Sequence, residues 1–277
     1  MRCRVLQLLV AGSFIGALFG VSSAATMIVV SDGFDDGGRT NGTDASDIAW
    51  YESFQTGSST PTSDLSVSND SGVPGIGGGN ALFLDSGGTF SRLSGVFNDT
   101  TLAVGETLGL SFDMRFTSNP GAITNGLRVG FYNDGGTTNS SDTSNGATVF
   151  NDDYGYGFAT NLGSASSFGT SVRQENNGGS TGAEGITGGP SPYSFNGVSG
   201  SSSGASTIWG TSSRSVQFTI TRLSDGSLDL LASIDGGTAA TGNVISPFNS
   251  NYTFNEVAIG LGGFSSDFYI DNVLIQV

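Results

Sequence analysis

Between Thr107 and Phe116 the chain reads TLGLSFDMRF. Leu108, Leu110, Phe112, Met114 and Phe116 occupy every second position, with Gly109, Ser111, Asp113 and Arg115 between them. Side chains of a strand point alternately to its two faces, so this strict alternation predicts a strand with one buried and one polar face. A helix would scatter the same residues around its circumference.

The same period returns along the chain. Leu127, Val129 and Phe131 alternate, with Arg128 and Tyr132 on the other parity. Val216, Phe218 and Ile220 alternate with Gln217, Thr219 and Thr221, and beyond the turn Ser224-Asp225-Gly226 the residues Leu228, Leu230, Ala232 and Ile234 alternate back. That is a β-hairpin whose glycine supplies the left-handed turn residue. Weaker blocks fall at Leu65 and Val67, at Ala81 to Leu84, at Leu93 to Phe97 with irregular spacing, at Tyr154, Tyr156 and Phe158, and at Ser171 to Gln174. No segment after residue 25 shows a helical period. Short strands, glycine-rich turns and no helices predict an all-β fold, an antiparallel two-sheet β-sandwich. Leu110, Phe112, Phe218, Ile220, Leu230, Ile259 and Ile270 are its expected core, with Phe34 buried and Trp50 plugging one end.

The closing stretch, NEVAIGLGGFSSDFYIDNVLIQV, reads as two antiparallel strands, the last of them central to a sheet. Phe268 and Ile270 share one parity, whereas Val273, Ile275 and Val277 share the other. A β-bulge at Asp271-Asn272 would bring both sets onto one core face, and would free Asp271 to turn toward the acidic residues near the N-terminus.

Arg2 and Arg4, the apolar run Val5 to Val21 and Ser22-Ser23-Ala24-Ala25 form a secretory signal peptide, with cleavage after Ala24 or Ala25. This divides the chain into a leader, 1–25, and one domain, 26–277. The only cysteine, Cys3, leaves with the leader, so the mature chain has no disulfide and no thiolate metal site. Of nine basic residues, all arginine, two leave as well, so seven face 24 acidic residues. A surface that acidic repels nucleic acid and anionic membrane and suits cations or neutral glycans. Without His, Lys or a mature cysteine, catalytic triads, thiol nucleophiles and His-bearing metal centres are excluded. Secretion, with no stable membrane insertion after cleavage, is the expected location.

The blocks SDGFDDGGRTNGTDASDIAWY, VGETLGLSFDMRF, NGLRVGFYN, DYGYGF, RSVQFTITRLSDGSL and FNEVAIGLGGFSSDFYIDNVLIQV resemble secreted bacterial proteins with a concanavalin A-like lectin/glucanase jelly roll, many of which carry a PEP-CTERM sorting tail. No such tail follows Val277 in this sequence, which predicts release rather than membrane sorting. The resemblance implies a single jelly-roll domain that binds glycans. β-Glucan-cleaving enzymes of this fold place carboxylates in a Glu-x-Asp-x-x-Glu pattern, and no Glu here has an Asp two residues on. A non-catalytic, lectin-like domain for extracellular or cell-surface polysaccharide is therefore expected. The alternative is a structural protein of the envelope or matrix, and behind that a polysaccharide lyase working through Tyr and Arg, or a glycoside hydrolase.

Seven residues are the candidate ligand contacts: Asp113, Arg115, Arg128 and Tyr132 on the polar faces of the two strongest strands, Tyr154 and Tyr156, and Trp209 as an exposed sugar platform. The competing reading of the first four is an Asp–Arg ladder on a solvated sheet. Calcium is the expected ion, because only oxygen ligands are abundant. Jelly-roll modules of the family often hold one where their two ends meet, which nominates Asp32, Asp35, Asp36 and Asp271. The plainer alternative is that these aspartates make turns with their own backbone.

Overall fold

The computed structural model describes residues 26–40, 46–55, 64–70, 75–85, 91–145, 153–163, 169–174, 198–199, 209–247, 252–261 and 266–277. The expected leader, residues 1–25, lies outside them. The described strands, in chain order, are β1 (Ile28–Asp32), β2 (Ala49–Gln55), β3 (Asp64–Asn69), β4 (Asn80–Asp85), β5 (Ser91–Thr101), β6 (Thr107–Phe116), β7 (Ile123–Asn133) and β8 (Thr143–Asn145). Then follow β9 (Tyr154–Leu162), β10 (Ser171–Gln174), β11 (Val198–Ser199), β12 (Arg214–Arg222), β13 (Leu228–Ile234), β14 (Gly237–Val244), β15 (Thr253–Leu261) and β16 (Phe268–Gln276). There is no helix among the described residues.

Two sheets form. One has nine strands in the order β11-β14-β13-β12-β6-β16-β4-β3, with β1 also paired to β16; the other has seven, β10-β9-β7-β15-β5-β2-β8. All pairs are antiparallel except β2 with β8. The period-two residues meet between the layers. Phe218 of β12 packs against Phe131 of β7 and Phe158 of β9, with ring centroids 6.1 and 5.7 Å apart. All seven expected core residues are buried, as are Phe34 and Trp50, whose rings lie 6.3 Å apart. The strand β6 alternates buried and half-buried residues along its whole length.

The end of the chain departs from expectation in one respect and meets it in another. β15 and β16 do not pair: β15 lies between β7 and β5 in the seven-stranded sheet, and β16 crosses to the nine-stranded one. Alternation identifies a strand with one buried face, and both inner faces of a sandwich satisfy that pattern equally. β16 is nevertheless central, with β6 along one edge and β4 and β1 sharing the other. Its register with β6 runs from Phe268↔Phe116 to Asp271↔Asp113, then resumes at Leu274↔Ser111. That is one extra residue on β16, the expected bulge. Asn272 takes a left-handed φ of 54° there, a conformation Asn tolerates better than most residues. Phe268, Ile270, Val273 and Ile275 consequently all face the core.

Candidate functional site

The seven-stranded sheet turns its polar parity away from the core, and pairing assembles those residues into rows. One row runs Ser94, Ala258, Gly130, Gly157, Arg173 across β5, β15, β7, β9 and β10. Beside it runs Arg92, Gly260, Arg128, Ala159, Ser171, and on the other side Val96, Glu256, Tyr132, Gly155. The centre of this face is floored by residues with little or no side chain, and larger polar groups stand around it. The glycines are required by close strand approach. A Cβ at Gly157 would lie 2.4 Å from the Val129 carbonyl oxygen, and one at Gly155 would lie 2.1 Å from that of Phe131.

This is no open plate. Arg92, Arg128, Arg173 and Glu256 are 2%, 6%, 7% and 1% exposed. Charged groups so deeply placed persist only with partners and hydrogen bonds around them. Asp153, one residue before β9, is buried as well. Glu52 is buried on the opposite parity, since it pairs with Leu93, which belongs to the core.

A strap from Asp134 to β8 borders this face and is tied down at three points. Asp134 accepts hydrogen bonds from Thr138 Oγ1 (2.5 Å), Asn255 Nδ2 (2.9 Å) and the Gly136 N–H (3.0 Å). Burial works against its charge, but these bonds outweigh burial and hold its carboxyl below the usual range. Midway, Asn139 Nδ2 donates to Ser94 Oγ at 3.0 Å. At the far end, Asp142 takes both Arg39 terminal nitrogens (2.9 and 2.6 Å) and the Glu52 N–H (2.9 Å). Its carboxyl too is lowered despite burial, by the bonds from Arg39 and Glu52 and by the Arg39 charge.

Of the seven expected ligand contacts, the structure brings only Arg128 and Tyr132 onto this face. Asp113 and Arg115 belong to the outer face of the other sheet. There Arg115 pairs with Asp70 and lies 4.9 Å over the Tyr269 ring, whose centroid is 4.7 Å from that of Phe83. Asp113 accepts Asn272 Nδ2 at 3.0 Å. The polar parities of two strong strands thus point out from opposite sides of the sandwich. Tyr156 is a core residue, edge-on to Phe254 at 6.1 Å, and Tyr154 shares its parity at the start of β9, half-buried. Trp209 is not an exposed platform. It is 1% exposed and packs edge-on against Phe116 at 6.0 Å, because a large aromatic beside the core gains most from burial.

Missed from the sequence were Arg92, Arg173 and Glu256. Glu256 was legible in principle, alternating with Val257, Ile259 and Leu261. Arg92 was obscured because β5 carries an irregularity: Phe254 pairs with Thr100, but Glu256 with Val96.

The four nominated metal ligands do come near one another, where β1 meets β16 and Asp32 pairs with Val273. A cavity of about 360 Å³ there is lined by Asp32, Asp35, Asp36, Asp47 and Asn272 among others. Asp32 spends one oxygen on the Phe34 N–H (3.0 Å) and the other on Trp50 Nε1 (2.9 Å), so it builds the turn and anchors the tryptophan. Among the described residues no three acidic side chains converge as a ligand set, whereas calcium requires about six to eight oxygens. The carboxyls of Asp32 and Asp271 are each pushed up to about 6, chiefly by burial. For Asp271 the charges of Asp35, Asp113 and Asp70 add to this, and for Asp32 those of Asp47 and Asp36.

No family model matches this chain, and no curated protein matches it. Solved structures do. The globular domain of calreticulin from T. cruzi is 11% identical with a TM-score of 0.54, covering 90% of this chain and 88% of that one. The Emp46p carbohydrate recognition domain is 11% identical with a TM-score of 0.44 over 78% of this chain and 87% of its own. An alginate lyase is 12% identical with a TM-score of 0.40 over 90% and 96%. Likeness at such identities shows the fold alone: a concanavalin A-like sandwich of two antiparallel sheets.

Proposed function

We propose that this protein is a secreted, non-catalytic polysaccharide-binding domain that takes its ligand on the outer face of the seven-stranded sheet. One observation carries this function. A face turned away from the core gathers Arg92, Arg128, Arg173, Tyr132 and Glu256 around a floor of Gly130, Gly157, Gly260 and Ala258. Small residues keep the centre of that face flat, and the polar groups around it are of the kinds that fix sugar hydroxyls in orientation. Secretion rests on the basic, apolar and small-residue regions of residues 1–25.

Hydrolysis of a glycosidic bond needs two carboxyl groups flanking it. In the three rows of this face described above Glu256 is the sole carboxylate, which favours binding over cleavage. A structural role has one observation in its favour. The outer face of the nine-stranded sheet carries Gly109, Ser111, Thr219, Thr221, Ser233 and Thr241 on its polar parity. Repetitive hydroxyl-bearing surfaces of that kind suit packing in a matrix.

Affinity electrophoresis through gels containing single polysaccharides tests the proposal. Retardation of the wild type by at least one polysaccharide, and its loss in Tyr132→Ala with an unchanged circular dichroism spectrum, is the expected result. Equal mobility in every gel would remove the function. Release of oligosaccharides from the retarding polymer would replace binding by catalysis.

A further inference from the structure

We propose that a second copy of this chain docks on the outer face of the nine-stranded sheet, the two faces meeting about a twofold axis that lies along β6 in the plane between them. Beyond residue 25 the chain sets seven arginines against 24 acidic residues. Two such copies repel unless they meet where charge is absent. Strand pairing builds such a place. One row of outward residues runs Ile28, Gln276, Gly109, Thr219, Leu231, Thr241 across β1, β16, β6, β12, β13 and β14. The row beside it runs from Ser31 through Leu274, Ser111 and Gln217 to Thr238. Neither row holds a charged residue among the described positions. Charges stand at the margins: Asp113 and Asp271 share the next row on one side, and Asp229 lies in the Thr107 row on the other. An uncharged centre inside a charged margin is the anatomy of a protein interface.

The apolar residues of this face are placed for self-pairing. Ile28 is 59% exposed and Leu231 36%, so the fold leaves both in water. Each stands two strands from β6, on opposite sides, in the same row. Rotation about an axis along β6 therefore sets Ile28 of one copy on Leu231 of the other, twice over. Gly109 lies on the axis and presents no side chain. The Thr219 methyl and the Gln276 stem close in around it, 3.7 and 4.0 Å from where a Cβ would stand. The pivot is thus low and apolar, and the faces can approach. The hydroxyls of Thr107 and Thr221 satisfy each other at 2.7 Å, so covering them leaves no bond unmade.

The size of the face sets the strength of the contact. Six strands about 4.8 Å apart and three rows about 6.7 Å apart cover roughly 600 Å² on each copy. That lies near the lower bound for a specific interface, so the dimer is reversible and forms at high local concentration. Copies joined this way turn their seven-stranded sheets outward on opposite sides. A dimer then bridges two polysaccharide chains, a consequence that rests on the function proposed above, whereas the dimer itself does not.

Sedimentation equilibrium of the secreted protein, with no polysaccharide present, tests the dimer apart from that function. The average mass should rise with concentration toward twice that of the monomer. The dissociation constant should fall several-fold from low salt to about 0.5 M salt, as repulsion between copies is screened. Leu231→Asp and Ile28→Arg should each weaken association about tenfold or more, with an unchanged circular dichroism spectrum. Mixed in equal amounts, the two variants should regain association. The new charges then oppose each other at one contact, and Ile28 meets Leu231 at the other. A chain that stays monomeric at about 1 mM in high salt would overturn the proposal. So would association that neither substitution weakens, or two losses that mixing does not repair.

Discussion

Asn272 donates its side-chain amide to Asp113 Oδ2 at 3.0 Å, across the one place where β16 carries a residue more than β6. The same side of β16 changes partner there, from β4 at Phe268–Ile270 to β1 at Val273–Gln276. The bulge is thus both a correction of phase and a junction between two partner strands. With φ at 54°, Asn272 stands where glycine is at ease and β-branched residues are not. Asn272→Gly should change stability by about 0.5 kcal/mol or less beyond the lost Asp113 bond, itself worth about 1 kcal/mol. Asn272→Val should cost about 2 kcal/mol or more. Chemical denaturation checks both, and equal losses would mean that the left-handed backbone is not the constraint.

Asp32 and Asp271 give the fold an unusual pH response. Each carboxyl is raised to about 6 in the folded protein, against 3.8 for an unperturbed aspartate. A raised acid binds its proton more tightly when folded, so stability should fall as pH rises between about 4 and 6. Asp134, Asp142 and Asp225 are shifted the other way, and their losses begin only as pH falls toward and below the ordinary aspartate range. The melting temperature should therefore be higher near pH 4.5 than near pH 7.5. Asp271→Asn should raise it at the higher pH and narrow the difference. A melting temperature that climbs steadily from pH 4.5 to 7.5, in both proteins, would contradict the burial of these charges.

The core makes a plainer demand. Phe112 is 1% exposed and pairs with Val216 in the middle of the nine-stranded sheet. Phe112→Ala should cost about 3–5 kcal/mol, since transfer and cavity terms add. A change within about 0.5 kcal/mol would place that side chain on the wrong face.

The glycine floor is testable by the smallest possible addition. A methyl at Gly157 would meet the Val129 carbonyl oxygen at 2.4 Å and the Gly130 Cα at 3.1 Å, both backbone atoms that cannot swing aside. Gly157→Ala should cost about 1–3 kcal/mol. Gly210→Ala, with nothing within 4 Å, should stay within about 0.5 kcal/mol. If the two substitutions behave alike, β9 and β7 do not approach as closely as described.

What the sequence disclosed follows from what alternation can encode. β6, β12 and β13 were legible because large apolar residues hold strict parity over five or more positions. β14 was not, because GTAATGNV buries mainly alanines. It is created instead by Asp235 and Gly236, whose φ values of 52° and 75° form the two-residue turn that suits a hairpin. The bulge at Asn272 was readable as a parity conflict within one strand, a local property. Sheet membership is not local, so the sequence could place Asp113 and Arg128 on polar faces without revealing that those faces point in opposite directions. The site fared similarly: Arg128 and Tyr132 lay on a strong strand, whereas Arg173 sits on a four-residue strand with no repeating pattern to mark it.

The central claim is that ligand binds the outer face of the seven-stranded sheet. The most direct test is a titration of ¹⁵N-labelled protein with the polysaccharide fragment that binds best, following backbone amides that need no mutation to report. Gly130, Gly157, Ala258 and Gly260 floor that face, while Gly109, Ser111 and Thr219 lie on the outer face of the other sheet. Saturable shifts confined to the first group are predicted. Saturable shifts at Gly109, Ser111 and Thr219, with the first group unmoved, would contradict the claim.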